Sequence, residues 1–230
     1  MSCREKARGV SGVRVCLDPG HGGSDPGAVY QAIKEKDLTL LLARQVGAVL
    51  NNFDVALVYT RQGDVTVPVE RRVAIANEGG ADFFLSLHVN AGGGTGFESY
   101  VATRAFERTL RYREIIHREI VAFLVGYHVP DRGMKTRDLY VLKKTRMPAV
   151  LLECLFLDNP GDRALLLDRS FLGGLAKAIA GGVAQALELG SDPCAELRTR
   201  LEQLEKEVAR YRQALAAIRD TAAAALRNQA

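Results

Sequence analysis

The sequence predicts an α/β fold: a mixed, mostly parallel twisted sheet flanked by helices, followed by a C-terminal helix with a heptad pattern. Three observations carry this expectation. Short runs of β-branched and aromatic residues alternate along the chain with segments whose apolar residues recur every three or four positions. Strand-like runs such as Phe83-Phe84-Leu85-Ser86-Leu87 are apolar almost throughout, as strands covered on both faces must be. Beyond Gly190-Ser191-Asp192-Pro193 the pattern narrows to a single apolar seam.

The first strand spans Val13 to Leu17 and breaks at the glycine-rich loop Asp18-Pro19-Gly20-His21-Gly22-Gly23. Apolar spacing at Leu38, Leu41, Leu42, Val46, Val49 and Leu50 predicts a helix from Lys36 to Asn52. A strand from Val55 to Thr60 follows, then a shorter helix from Val69 to Asn77, then the buried strand ending at His88. The loop Asn90 to Gly96 leads to a strand at Phe97–Val101, and residues 104–125 read as a helix. Leu139–Leu142 and Ala149–Leu152 read as strands, and Leu172–Leu189 as a helix. The division is a catalytic-sized unit over residues 1–190 and a helical appendage over 191–230.

In that appendage Leu197, Leu201, Leu204, Val208, Tyr211, Leu215, Ile218, Ala222 and Ala225 are spaced alternately by four and three. Taking Leu201, Val208, Leu215 and Ala222 as a positions makes the others d positions, the signature of a coiled coil. A homo-oligomer formed through residues 194–228 is the expectation; the alternative is a helix folded back on its own domain. Asp192-Pro193 suits a helix start.

Composition narrows the function. Of the 230 residues 47% are hydrophobic and 25% charged, and the formal charge is +4 (31 basic less 27 acidic), which excludes intrinsic disorder and leaves no strong nucleic-acid footprint. No uncharged apolar run approaches the roughly 20 residues that cross a bilayer. Met1-Ser2-Cys3-Arg4-Glu5-Lys6 is followed by no apolar segment, so a signal peptide is not expected and the chain is expected to begin in the cytoplasm. Cys3, Cys16, Cys154 and Cys194 are scattered, without the paired spacing of a thiolate metal site.

Four side chains draw attention by position. His21 lies just past the end of the first strand, and His88 ends the Phe83–Leu87 strand. Glu35 opens the helix after the first loop, and Glu153 follows the strand Ala149–Leu152. Ligand sites in open α/β sheets collect at the carboxyl ends of strands, so these groups converge on one rim. Two histidines and a carboxylate are a natural three-ligand set for zinc, with a further carboxylate to accept a proton from water. Each also has a plainer reading, as a hydrogen-bonded structural histidine or a first-turn acid favoured by the helix dipole. The glycine-rich loop lacks the Gly-Lys-Ser/Thr ending of a phosphate loop and the third glycine of a dinucleotide loop. Ser86 and His88 share a strand face without a glycine elbow, which disfavours a serine triad. His117 and His128 read as surface or structural groups, and the arginines of 104–125 as a solvated face.

Leu17-Asp18-Pro19-Gly20-His21-Gly22-Gly23-Ser24-Asp25-Pro26-Gly27-Ala28, Glu35-Lys36-Asp37-Leu38, Thr60-Arg61-x-x-Asp64, Arg72-x-x-x-Ala76-Asn77 and Ala81 to Ala91 occur in order, followed by Pro148 to Glu153, Phe156 and Asn159. Together, over residues 13–189, they resemble the zinc-dependent N-acetylmuramoyl-L-alanine amidases of the Amidase_3 type, among them phage endolysins. The resemblance implies His21, Glu35 and His88 as ligands of one zinc ion and Glu153 as the catalytic carboxylate. It also implies the reaction: hydrolysis by a zinc-activated water of the amide between N-acetylmuramic acid and L-alanine in peptidoglycan, hence cell-wall lysis after release of the protein by a holin or by lysis. Alternatives are a non-catalytic muropeptide-binding module and a zinc peptidase acting on the stem peptide. Chemistry of this kind needs outer partners to fix the imidazoles, for which Asp18, Asn90 and backbone carbonyls are the expected groups. One departure stands beside the acid: Cys154-Leu155 replaces the small residue and glycine frequent in the family.

Overall fold

Val15, Cys16 and Leu17 are wholly buried, which only a strand covered on both faces can achieve for consecutive residues. The computed structural model describes residues 12–191 and 195–227. The readings of the N-terminal leader, of Cys3 and Cys194, and of Asp192-Pro193 as a helix start fall outside those residues.

The chain runs β1 (Val13–Pro19), a short hairpin of β2 (Val29–Tyr30) and β3 (Ile33–Lys34), α1 (Glu35–Leu50), β4 (Val55–Tyr59), α2 (Val69–Glu78), β5 (Phe83–Asn90) and β6 (Phe97–Val101). There follow α3 (Glu107–Leu124), β7 (Asp131–Thr136), α4 (Tyr140–Lys144), β8 (Ala149–Phe156), α5 (Pro160–Leu167), α6 (Arg169–Ala186) and α7 (Ala195–Arg227). The main sheet has the order β4-β1-β5-β8-β6-β7. β4, β1, β5 and β8 are parallel, β6 is antiparallel to β8, and β7 runs parallel to β6. The expected mixed, mostly parallel sheet is the one observed.

The two faces are covered unequally. α1, α3 and α6 pack together on one side, over a large core that includes Leu42, Phe83, Phe97, Ile116 and Phe171. The other side carries only α2 and the single-turn-and-a-half α4, over a smaller cluster around Cys16, Val73, Phe84 and Leu151. That thin cover leaves room for a cleft.

Leu139–Leu142 is not a strand. Leu139 precedes α4 and Tyr140–Leu142 lie within it; the strand nearby is β7 at the sheet edge, whose polar, largely exposed residues hide it from a hydrophobicity reading. An exposed, charged edge strand blunts edge-to-edge association, which is why it does not look like the inner ones. α5 also escapes periodicity because it is short; the Asn159 side chain caps it by accepting from the Gly161 and Asp162 amides at 2.9 and 3.1 Å.

Of its two readings His117 takes the structural one: it is buried. Its Nδ1 meets Ser99 Oγ at 2.8 Å and its Nε2 meets Asp131 Oδ1 at 2.9 Å, joining α3 to β6 and β7. Burial lowers its pKa, with Arg113 adding to that effect and Asp131 opposing it. A histidine that is harder to protonate in the folded chain than in the unfolded one contributes stability that is full above the unfolded pKa and is lost as pH falls through the folded one. The midpoint temperature of the wild type should therefore drop more steeply than that of His117→Gln between about pH 7.5 and about pH 5.5, a range that brackets the ordinary histidine pKa of about 6.5. Parallel calorimetric curves for the two proteins would refute this.

Candidate active site

The rim at the carboxyl ends of β1, β5 and β8 is built around one buried carboxylate that no solvent reaches. Asp18, near the end of β1, accepts from Thr60 Oγ1 at 2.6 Å, Ser86 Oγ at 2.7 Å and Arg72 at 2.7 Å. Arg72 also donates to the carbonyls of Pro19 and His21. Arg61 donates to the carbonyls of Pro19 (3.0 Å), Gly20 (2.8 Å) and Lys36 (2.7 Å). Two guanidinium groups thus hold the loop that carries His21, and they explain why the Thr60-Arg61 and Arg72 motifs accompany it.

Within that loop His21 takes a left-handed backbone (φ 60°), and a tight turn pairs Gly22 with Asp25 in both directions, at 2.8 and 3.1 Å. Asp64 accepts from the Gly23 amide at 2.7 Å and from Lys36 Nζ at 2.7 Å, fastening the turn to α1. Gly20 has no freedom to be anything larger: a Cβ there would stand 2.3 Å from the His88 ring.

Glu35, the first residue of α1, is 4% exposed and receives hydrogen bonds from the Ala28 amide at 2.9 Å and the Val89 amide at 3.0 Å. Its two oxygens also meet the histidines, Oε2 at 3.1 Å from His21 Nε2 and Oε1 at 3.0 Å from His88 Nδ1. Burial by itself would raise the Glu35 carboxyl, yet the hydrogen bonds and charges of the two imidazoles hold it well below the usual carboxylate range. Burial likewise opposes the charge on His21, but Glu35 and Asp25 outweigh it and lift that imidazole to about 9. One ligand-type atom from each of His21, Glu35 and His88 lies within 4.8 Å of the others. Two imidazole nitrogens and a carboxylate oxygen at that spacing form a donor set suited to a divalent ion such as zinc.

The outer partner of His21 is Asp25, whose Oδ2 lies 2.8 Å from Nδ1. The expected partners, Asp18 and Asn90, serve elsewhere: Asp18 binds Arg72, Thr60 and Ser86, and the Asn90 side chain accepts from the Ala91 amide. Asp25 lies four positions beyond His21 in a glycine-rich loop, and only the turn folds it back onto the imidazole.

Glu153 on β8 sits level with His88 on β5 in the sheet register. It lines the same cleft, of about 570 Å³, as His21 and His88, between Val67, Pro68 and Val69 on one side and Leu139 and Tyr140 on the other. Burial pushes its carboxyl up to about 7, with Glu35 and Glu98 adding to this and the two imidazoles opposing. Its Oε2 is buried and has no hydrogen-bond partner among the described residues, so one oxygen of this acid is uncommitted. Glu98 stands opposite it across the β6–β8 register. Glu98 is also buried, but Lys135 at 2.7 Å, Tyr100 and Arg132 surround it and bring it down to about 2 against the effect of burial. Two neighbouring acids are therefore set far apart in proton affinity by their partners. Glu98 was missed in the sequence; an acid inside an otherwise apolar strand was the available signal.

The departure at Cys154-Leu155 has a backbone meaning. Leu155 adopts a left-handed φ of 68° while fully buried, a conformation glycine takes without steric cost. Cys154 is buried too, and burial pushes its thiol up, which makes it packing and not a nucleophile.

Fold and rim together define an α/β protein with a candidate metal-holding triad beside an uncommitted acid. Residues 15–185 match the family model described as N-acetylmuramoyl-L-alanine amidase, Amidase_3; the chain belongs to this family. It is 43% identical over 179 residues to the sporulation-specific N-acetylmuramoyl-L-alanine amidase of Bacillus subtilis, covering 77% of this chain and 69% of that one. It is 44% identical over 179 residues to the endolysin of Bacillus phage SPP1, covering 76% and 66%. Among solved structures it resembles an N-acetylmuramoyl-L-alanine amidase of Clostridium difficile 630, with a TM-score of 0.74 and 30% identity over 78% of this chain and 98% of that one.

Because the Asp18 carboxylate and the Arg72 guanidinium are both buried, removing one strands the other. Asp18→Ala should lower unfolding free energy by about 3–5 kcal/mol, measured by urea denaturation at unchanged slope. A loss under about 1 kcal/mol would mean that Arg72 finds other compensation.

Proposed function

We propose that the protein hydrolyses the amide joining N-acetylmuramic acid to the L-alanine of the peptidoglycan stem, with His21, Glu35 and His88 holding one zinc ion and Glu153 moving the proton. The observation that carries this is the meeting of the three ligand-type side chains and the unpartnered Glu153 at one cleft. An amide resists water because its carbonyl is a weak electrophile and its nitrogen a poor leaving group. Zinc, when bound, supplies a Lewis acid toward both the carbonyl oxygen and water.

The chain's own groups do the rest. Asp25 accepts the Nδ1 proton of His21 and so keeps Nε2 available as the ligand atom. Arg61 and Arg72 fix the backbone beneath that imidazole, so little reorganisation is needed when the site fills. Glu153 takes the proton of the attacking water and returns it to the departing amine, work its raised proton affinity suits. The apolar walls at Val67, Val69, Leu139 and Tyr140 suit the methyl groups that flank the scissile amide, and they limit access of bulk water.

Residues 1–190 form the catalytic unit in this reading and residues 191–230 an assembly segment. No helix among the described residues is long and apolar enough to cross a membrane. The endolysin among its relatives supports an enzyme that meets the wall once the cell contents are released.

Glu153→Gln should retain zinc and the folded spectrum yet lose roughly 10²–10⁴-fold in rate on purified peptidoglycan. A variant with the wild-type rate would remove Glu153 from the reaction. His21→Ala and His88→Ala should each lower zinc content by elemental analysis, and full occupancy in both would remove them as ligands. Gly20→Ala, which drives a methyl into the His88 ring, should cost about a hundredfold in activity. Mass spectrometry of the digest should find free L-alanine amino groups; other new amines would indicate a peptidase, and no new termini a binding module.

A further inference from the structure

We propose that α7 pairs with the α7 of a second copy as a parallel, in-register, two-stranded coiled coil, which hangs both catalytic units at the same end. This goes beyond the assembly role given to residues 191–230 and rests on it. The seam Leu197, Leu201, Leu204, Val208, Tyr211, Leu215 and Ile218 is left between 42% and 67% exposed in the single chain. At ~1.5 Å per residue the 33-residue helix is about 50 Å long. A continuous apolar stripe of that length on a solvated helix calls for a partner. The stripe is only two residues wide per heptad, with charged residues directly beside it, which suits a coiled-coil seam better than the broad apolar face of a helix lying in a membrane surface.

Charge favours a second copy as the occupant and a parallel direction. With Leu201, Val208 and Leu215 at a, the g positions are Arg200, Glu207 and Ala214, and the e positions are Glu205, Arg212 and Arg219. In a parallel pair each g residue faces the e residue five positions further on in the partner helix. Arg200 then faces Glu205 of the other copy, and Glu207 faces Arg212; two-fold symmetry makes each pair twice. No like charges meet at these positions. In the antiparallel arrangement that sets Leu204 against Leu215 and Val208 against Tyr211, g faces g and e faces e, so Glu207 meets Ala214 and only the Glu205–Arg212 pair forms, twice by symmetry, against four charge pairs in the parallel arrangement. Val208 at a beside Leu204 at d favours two strands, while Leu215 at a beside Ile218 at d has the opposite preference, so the strand number rests on the four g–e charge pairs of the two-stranded arrangement.

The consequence is a protein whose two clefts are presented from one end of a stalk. Binding of one unit to a polymer raises the effective concentration of the other at neighbouring sites.

The test uses the full chain. Sedimentation equilibrium should give twice the 25.0 kDa of one chain. With Cys3→Ser and Cys194→Ser in place, Leu204→Cys alone should form a covalent dimer on oxidation. Glu205→Arg with Glu207→Arg should weaken association about tenfold or more, and adding Arg200→Glu with Arg212→Glu should bring it back to within about threefold of wild type. A monomer at all concentrations would overturn the assembly reading as a whole. A three-stranded mass, or thiols that cross-link only when Leu204→Cys is mixed with Leu215→Cys, would overturn the parallel two-stranded arrangement and leave assembly standing. Neither result would touch the amidase reading, which peptidoglycan digestion measures separately.

Discussion

The buried carboxylate of Asp18 is the joint on which the rim of this protein is assembled. It is the last acid of β1, and its partners come from the residue after β4, from β5 and from α2. An isolated charge in that place would be prohibitively expensive, so the carboxylate is stable only when Arg72, Thr60 and Ser86 all reach it. Satisfying it therefore aligns three neighbouring strands and one helix at the same level. Arg72, drawn in by that requirement, spends its remaining donors on the carbonyls of Pro19 and His21, and Arg61 adds bonds to those of Pro19 and Gly20. The loop that carries the first histidine is in this way an extension of a strand-end ion pair.

Glu35 repeats the device one layer further out. Backbone amides from Ala28 and Val89 hold its carboxylate before any ligand is considered, and the two imidazoles close on it from either side. Placing an acid at the first position of α1 lets the helix amide dipoles favour its charge. Glu153 differs by lacking such support, and its burial without partners is what raises its proton affinity. Holding some acids ionised and one close to neutrality within a single cleft is a matter of partner placement, since their intrinsic chemistry is the same. The family to which the chain belongs and the arrangement of this cleft point to the same chemistry from independent directions.

Much of the α/β unit was legible because its inner strands are buried on both faces and therefore continuously apolar, while α1, α2 and α6 keep one apolar stripe each. The four candidate residues could be picked out because His21 and Glu35 flank elements and His88 and Glu153 interrupt largely apolar strands, where a polar side chain has no packing role. Other features were not legible. β7 is an exposed edge strand with no apolar alternation strong enough to see, α4 is too short to show a period, and Asp25 reaches His21 only through a turn. Glu98 was passed over because strand-interior acids are usually outward facing, and its burial depends on Lys135 and Arg132 arriving from β7.

Sequence alone determined the alternation of the inner strands with α1, α2, α3 and α6, the 4–3 apolar spacing along α7, and the candidates His21, Glu35, His88 and Glu153, since these follow from hydrophobic period and side-chain chemistry. Only the folded chain decided which polar groups meet. Distances of a few ångströms between residues 14 to 67 positions apart, as for Glu35 with His21 and His88 or Asp162 with Thr95, are set by strand register and loop closure, which no local pattern encodes. Proton affinities follow from those distances and from burial.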